Sequence, residues 1–151
     1  MSRYVFSFWI VSLVCAVWIL LACGASDPRP LQSITVTPAS ADAQDYPGGQ
    51  VPFVATGHYN SPPTTVTPLQ TNWAAVSEQI VNGILTFGSV TSAVSIDHTG
   101  TAQCAAGASG TYAVIAWGLQ DSSLKVGCSS MTDFGEPGCN AVQATAQLSC
   151  P

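Results

Sequence analysis

The chain has 151 residues, which is the length of one domain preceded by a short leader. Only 7% of the residues are charged, and three Lys and Arg face eight Asp and Glu, giving a formal net charge of −5. A chain this poor in cations offers no basic surface, so nucleic acid is excluded as a partner.

The first 22 residues have the layout of an export signal. The segment "MSRY" carries one cation, Arg3, and the run "VFSFWIVSLVCAVWILLA" that follows has neither charge nor helix breaker. A retained transmembrane helix and an ordinary signal peptide are the alternatives, because the run is about long enough to cross a bilayer. No cluster of Lys or Arg follows the run as a stop-transfer anchor would require. We therefore predict that residues 1–22 are a cleaved signal peptide.

The run ends on "LLAC", residues 20–23, which resembles the lipobox of bacterial lipoproteins. In that family the cysteine thiol is diacylglycerylated, the signal is cut just before it, and the new amino terminus can be acylated as well. The resemblance implies that Cys23 is the lipidation site and that residues 23–31 are a lipidated tether. Two or three acyl chains anchor stably, so the expected location is the bacterial cell envelope, at the outer membrane if the host has one.

The rest of the chain, residues 32–151, predicts short strands separated by turns. Apolar residues alternate with polar ones in "LQSITVT" and "QVPFVATGHY", and Asn82-Gly83 between two apolar pairs is a strong hairpin signal. A turn is predicted at 97–100. The most β-prone run, "GTYAVIAWGL", and the alternating "AVQATAQLS" are predicted to form the last antiparallel pair, with Thr111 opposite Ser149 and Leu119 opposite Ala141. No segment has helical periodicity of useful length.

Several of these segments resemble bacterial Ig-like domains of group 2. The similarity rests on "ITVTPA", on Gly48-Gly49, on "FVATGHY", and on "NWAAVS", "VSIDHTG" and "AAGASGTYAVIAWG" in the family's order. It implies an all-β fold, an Ig-like antiparallel β-sandwich with Greek-key connections, and a core position for Trp73. The inserted Asn-Gly hairpin and the long loop before the last strand depart from the family pattern.

Four cysteines remain in the exported part beyond Cys23, and they predict two disulfides. Zinc is the competing use of four cysteines, but their spacings of 24, 11 and 11 contain no C-x2-C knuckle. In the predicted last hairpin, Cys150 emerges beside Gly110, close to Cys104. We therefore predict that Cys104 pairs with Cys150 and that Cys128 pairs with Cys139.

No catalytic constellation, cofactor motif or metal motif is found in the sequence. His58 and His98 are expected in solvent, and a metal site shared with Asp97 is the less favoured alternative. Calcium binding by the acidic residues of the long loop is likewise less favoured than a solvated loop; these residues are Asp121, Asp133 and Glu136. The sequence thus predicts a protein that is not an enzyme.

The outer side of "GTYAVIAWG" is a candidate binding surface. If Tyr112, Val114 and Ala116 face the core, then Ile115 and Trp117 point outward, where they either form a patch for an envelope protein or a glycan or are covered by the inserted hairpin. Coverage is the favoured alternative, and Trp117 is expected to be only partly covered. The predicted function is a non-catalytic structural, adhesion or binding module. The alternative is an accessory subunit of an envelope enzyme or transport complex.

Overall fold

The computed structural model describes residues 29–81, 84–120 and 140–151, and within them the chain is almost entirely β-strand. Two 3-10 helices of three residues each, Ala43–Asp45 and Pro47–Gly49, are the helical segments of this part. The strands are β1 (Leu31–Thr37), β2 (Ser40–Asp42), β3 (Gln50–Pro52), β4 (Val54–Tyr59), β5 (Thr65–Val66), β6 (Asn72–Val81), β7 (Ile84–Val90), β8 (Val94–Ile96), β9 (Thr101–Cys104), β10 (Gly110–Leu119) and β11 (Ala141–Cys150).

The strands form three sheets. The largest has the order β2-β11-β10-β6-β7, and two smaller sheets have the orders β1-β4-β5 and β3-β9-β8. The strand pairs are antiparallel except for β2 and β11, which are parallel. The prediction of an all-β chain with antiparallel sheets is therefore confirmed.

The last predicted hairpin has the predicted register. Gly110 lies opposite Cys150 and Leu119 lies opposite Ala141, with ten residue pairs between β10 and β11. The hairpin predicted at Asn82-Gly83 is also present, because β6 and β7 pair up to Val81 opposite Ile84, with residues 82–83 between them. Two-residue connections of this kind are those that Asn-Gly favours.

The core lies against the inner face of the large sheet. Its largest fully buried side chains include Val51 of β3, Phe53 between β3 and β4, and Leu148 and Val114 of β11 and β10. Successive residues of β10 alternate between two apolar clusters: Val114 and Ala116 belong to the main core, and Ala113 and Ile115 pack with Val76 on the other face. This is the alternation that a strand imposes, and the predicted facing of β10 is confirmed.

The predicted tether already contacts the domain at its carboxyl end. The Arg29 guanidinium lies 5.2 Å from the centre of the Tyr59 ring and donates a hydrogen bond to the Pro63 carbonyl oxygen at 3.3 Å. β1 begins at Leu31, whose backbone N–H bonds to the Gln120 carbonyl at 2.8 Å. The part of the chain that the structure describes includes no helix with the length and apolar character to cross a membrane.

Candidate functional site

A cleft of about 290 Å³ opens between the loop that follows β5 and the turn that joins β8 to β9. Its apolar wall is formed by Val54, Ala55, Pro68 and Leu69. The Leu69 N–H bonds to the Ala55 carbonyl at 2.8 Å, which holds the loop against β4. Val54 is 38% exposed, so part of this wall is open to solvent.

Trp73 forms part of the lining of the cleft. It lies on β6 opposite Ala116 of β10, so its ring is on the inner face of the large sheet, where it packs against the main core. The ring is only half-buried, and within the described part of the chain its indole N–H has no hydrogen-bond partner and reaches solvent. Trp73 therefore joins the core, as predicted, and also presents a polar donor at the cleft.

Gly100 allows the Trp73 ring to come this close to the turn. Its φ is +89°, and a Cβ there would lie 2.3 Å from the Phe53 carbonyl oxygen and 2.8 Å from Cζ2 of Trp73. The Phe53 N–H in turn bonds to the Gly100 carbonyl at 2.9 Å. A residue with a side chain would collide with both neighbours, so glycine is required by conformation and by space.

The turn at 97–100 is organised by one carboxylate. Oδ1 of Asp97 accepts hydrogen bonds from the Thr99 hydroxyl at 2.6 Å, the Thr99 N–H at 2.8 Å and the Thr101 N–H at 3.0 Å. The Thr99 hydroxyl bond, followed by the Thr101 N–H bond, holds the pKa of Asp97 below its ordinary value of 3.8. The predicted turn is confirmed, and the Asp97 carboxylate is hydrogen-bonded to Thr99 and Thr101 at this turn.

Three polar side chains line the cleft beside Trp73. They are Gln70, His98 and Thr99, all of them exposed. No Lys, Arg, Asp or Glu is among the lining residues of this cleft, and its polar groups are an amide, an imidazole and a hydroxyl. Two larger depressions, of about 400 and 540 Å³, both border Tyr46 but are shallower. We take the Trp73 cleft as the candidate site because it is the most enclosed of these three.

The structure joins Cys104 and Cys150 by a disulfide, with their Cα atoms 5.9 Å apart. This is the pair expected from the register of β10 and β11. The proposed lipidation site Cys23 and the predicted partners Cys128 and Cys139 lie outside the described residues.

The predicted binding surface at Ile115 and Trp117 is buried. Ile115 is 2% exposed and Trp117 is 7% exposed. The expectation that Trp117 is only partly covered is wrong, because Trp117 is more deeply buried than Trp73. These side chains do point away from the main core, as predicted, but they are not accessible surface for a partner. Among the side chains of the large sheet that the structure describes, the large apolar ones that are exposed lie on β7, at Phe87 and Val90.

The two histidines lie apart in the structure. His58 Nε2 is 3.3 Å from the Thr35 hydroxyl on the pair of strands β1 and β4, whereas His98 lines the cleft. Among the described residues no group of three His, Cys, Asp or Glu is arranged to hold a metal ion. The acidic loop residues Asp121, Asp133 and Glu136 lie outside the described part.

Sequence reasoning missed this cleft. The sequence predicts Trp73 as a core residue only and His98 as a solvent-exposed residue without a role. The sequence contains one indication of the cleft, the "DHTG" turn at residues 97–100. In such an Asx-type turn the aspartate bonds to the backbone that follows it, and this fixes the positions of His98 and Thr99 before the glycine. Comparison of the chain with protein-family models and with curated proteins finds no match.

Proposed function

We propose that the chain is an exported bacterial lipoprotein whose single Ig-like β-sandwich acts as a non-catalytic binding or structural module at the cell envelope. The lipobox "LLAC" supports the anchor, and the three mainly antiparallel sheets around the main apolar core are compatible with a sandwich. The acylated Cys23 holds the domain at the membrane, and the function is exerted through its surface.

The observation that carries the proposal is the disulfide between Cys104 and Cys150. Structural disulfides form and persist in oxidising compartments outside the cytoplasm, which is where a lipoprotein domain resides. The bond ties the last strand, β11, to the end of β9, and so fixes the carboxyl terminus to the domain.

The anchor is tested by metabolic labelling with radioactive palmitate. Because only a thiol at the lipobox accepts the diacylglycerol, Cys23→Ser should remove the label and leave an uncut precursor. The matched control is Cys15→Ser, which removes a thiol from the apolar run itself and should label and mature like the wild type. Equal labelling of Cys23→Ser and wild type would contradict the proposal.

Cross-linking in intact envelopes followed by mass spectrometry tests the role of the domain. A module that acts by itself should cross-link to envelope lipid and glycan neighbours and show no stoichiometric protein partner. Recovery of one defined enzyme or transporter in stoichiometric yield would replace this proposal with that of an accessory subunit.

A further inference from the structure

We propose that the Trp73 cleft is a binding site for a neutral saccharide, with a sugar ring placed against Trp73 and hydrogen-bonded by Gln70 and His98. The inference rests on the proposed function and deepens it by naming the class of ligand. It depends on three features of the cleft: a partly buried indole, a lining without Lys, Arg, Asp or Glu, and a turn held in place before any ligand arrives.

The indole is the first of these features. Trp73 combines an apolar ring with an N–H that reaches solvent and has no partner within the described part of the chain. Trp73 is one of several partly buried hydrophobic residues packed against the main core, and among the residues that line the cleft it supplies the one indole ring. A sugar ring matches it, because its C–H face contacts the aromatic ring and its hydroxyls accept from the N–H.

The absence of full charge in the lining limits the ligand class. A phosphate or a carboxylate would find no Lys or Arg among the lining residues, and an ammonium group would find no Asp or Glu. The Gln70 amide both donates and accepts hydrogen bonds, and the His98 imidazole adds a ring N–H donor. A ligand with many hydroxyls and no charge satisfies both groups, and the apolar wall of Val54 and Leu69 covers its C–H groups.

The turn is preorganised, and this reduces the entropy that binding costs. Asp97 accepts three hydrogen bonds from its own turn, so His98 and Thr99 are held in position on one side of the cleft. On the opposite side, the bond from Leu69 to Ala55 fixes the loop that carries Gln70. The volume of about 290 Å³ is at the low end of ligand sites, which begin at roughly 300 Å³, and suits a short stretch of a glycan.

Indole NMR of the full chain tests the proposal directly. The protein is labelled with ¹⁵N-tryptophan and solubilised in a detergent that has no sugar head group, and the signal that disappears in Trp73→Phe identifies Trp73. Maltotetraose, cellotetraose and chitotetraose are then titrated separately to about 10 mM, the range of weak binding. We expect the Trp73 signal to move with at least one of them, while the signal of the buried Trp117 stays in place.

Surface variants give a second readout that does not depend on the core. Gln70→Ala and His98→Ala each remove one exposed polar group and should raise the dissociation constant about two- to tenfold, the range for one lost hydrogen bond. The matched control is Gln44→Ala, an exposed glutamine that lines a different depression and should leave the affinity unchanged.

The outcomes separate the ligand class from the proposed function. The saccharide proposal is overturned if no oligosaccharide moves the Trp73 signal, or if a neutral proline-rich peptide moves it and the sugars do not. It is also overturned if Gln44→Ala weakens binding as much as Gln70→Ala. Palmitate labelling of Cys23 does not depend on any of these results. Failure of the saccharide proposal therefore leaves the anchor proposal intact, and failure of the anchor proposal leaves the saccharide proposal intact.

Discussion

At the scale of single residues, Gly100 is the most constrained position of the cleft. Alanine there must adopt a φ of +89° and must also displace the Phe53 carbonyl and the Trp73 ring. We expect Gly100→Ala to lower the free energy of unfolding by about 3 kcal/mol or more, combining backbone strain with a steric clash. Urea denaturation measures the loss.

The matched control for this prediction is Gly107→Ala. Gly107 has a φ of +78°, and a Cβ at that position would meet no atom within 4 Å. This variant should therefore show the backbone cost alone, about 1 kcal/mol. Equal losses in the two variants would show that the contacts of Gly100 with Phe53 and Trp73 contribute nothing.

Asp97 should make the turn sensitive to acid. Its pKa is lowered in the folded protein, chiefly by the Thr99 hydroxyl and the Thr101 N–H. A group with a lowered folded pKa stabilises the fold above its unfolded pKa, and this contribution is lost as pH falls through the folded value. Stability should therefore decline below about pH 4, the unfolded pKa of an aspartate.

The variant Asp97→Asn separates the charge from the hydrogen bonds, because asparagine keeps one acceptor oxygen but does not titrate. Its melting temperature should depend less on pH between 7 and 3 than that of the wild type. Asp97→Ala should lower the melting temperature further at pH 7, because it removes the acceptor as well. If the melting temperature of Asp97→Asn falls as steeply with decreasing pH as that of the wild type, the acid sensitivity belongs to another group.

At the scale of elements, the final hairpin and its disulfide are tested together. Replacing both Cys104 and Cys150 by Ser should cost about 2 to 4 kcal/mol, the usual range for a disulfide. The matched double variant, Cys128→Ser with Cys139→Ser, should cost less, because the predicted bond there joins residues 11 apart and the observed one joins residues 46 apart. Chemical denaturation under non-reducing conditions compares the two.

Peptide mapping without reduction checks the connectivity that this comparison assumes. A peptide that links Cys104 to Cys150 is expected, and a second peptide should link Cys128 to Cys139. A link from Cys104 to either of the loop cysteines would contradict the predicted pairing and the placement of Cys104 beside the end of β11.

The strands and the register of β10 and β11 could be predicted because they follow from local patterns. The runs 111–119 and 141–149 are equally long, and alternation assigns each residue to a face. The burial of Trp117 could not be predicted in the same way, because alternation says which way a side chain points but not what lies over it. The cleft depends on contacts between segments far apart in sequence, such as Leu69 with Ala55 and Gly100 with Phe53.

At the scale of the whole molecule, the strands define a near end and a far end relative to the proposed anchor. Arg29, the amino end of β1 and the Gln120 carbonyl lie at one end, where Leu119 pairs with Ala141. Cys150 and Gly110 lie at the other end of the same hairpin. A strand of ten residues spans about 33 Å, so the disulfide and the carboxyl terminus are well separated from the start of β1.

The length of the link to the lipid then predicts which end meets the membrane. Six residue steps separate Cys23 from Arg29, and a fully extended chain of that length reaches about 20 Å. Because Arg29 is held on Tyr59 and Pro63, the near end cannot move farther from the bilayer than this link allows. The far end should therefore project away from the lipid.

Photo-cross-linking in lipid vesicles tests this orientation. Benzoylphenylalanine is placed at Asn60, an exposed position next to Tyr59, or at Pro151, the exposed carboxyl-terminal residue. With Cys23 acylated, the label at position 60 should form more lipid adducts than the label at position 151, because only the near end is held within reach of the bilayer. A chain of residues 24–151, which has neither the apolar run nor Cys23, serves as the control in which this preference should disappear. Equal or greater adduct formation from position 151 in the acylated protein would mean that the domain lies with its disulfide end on the membrane.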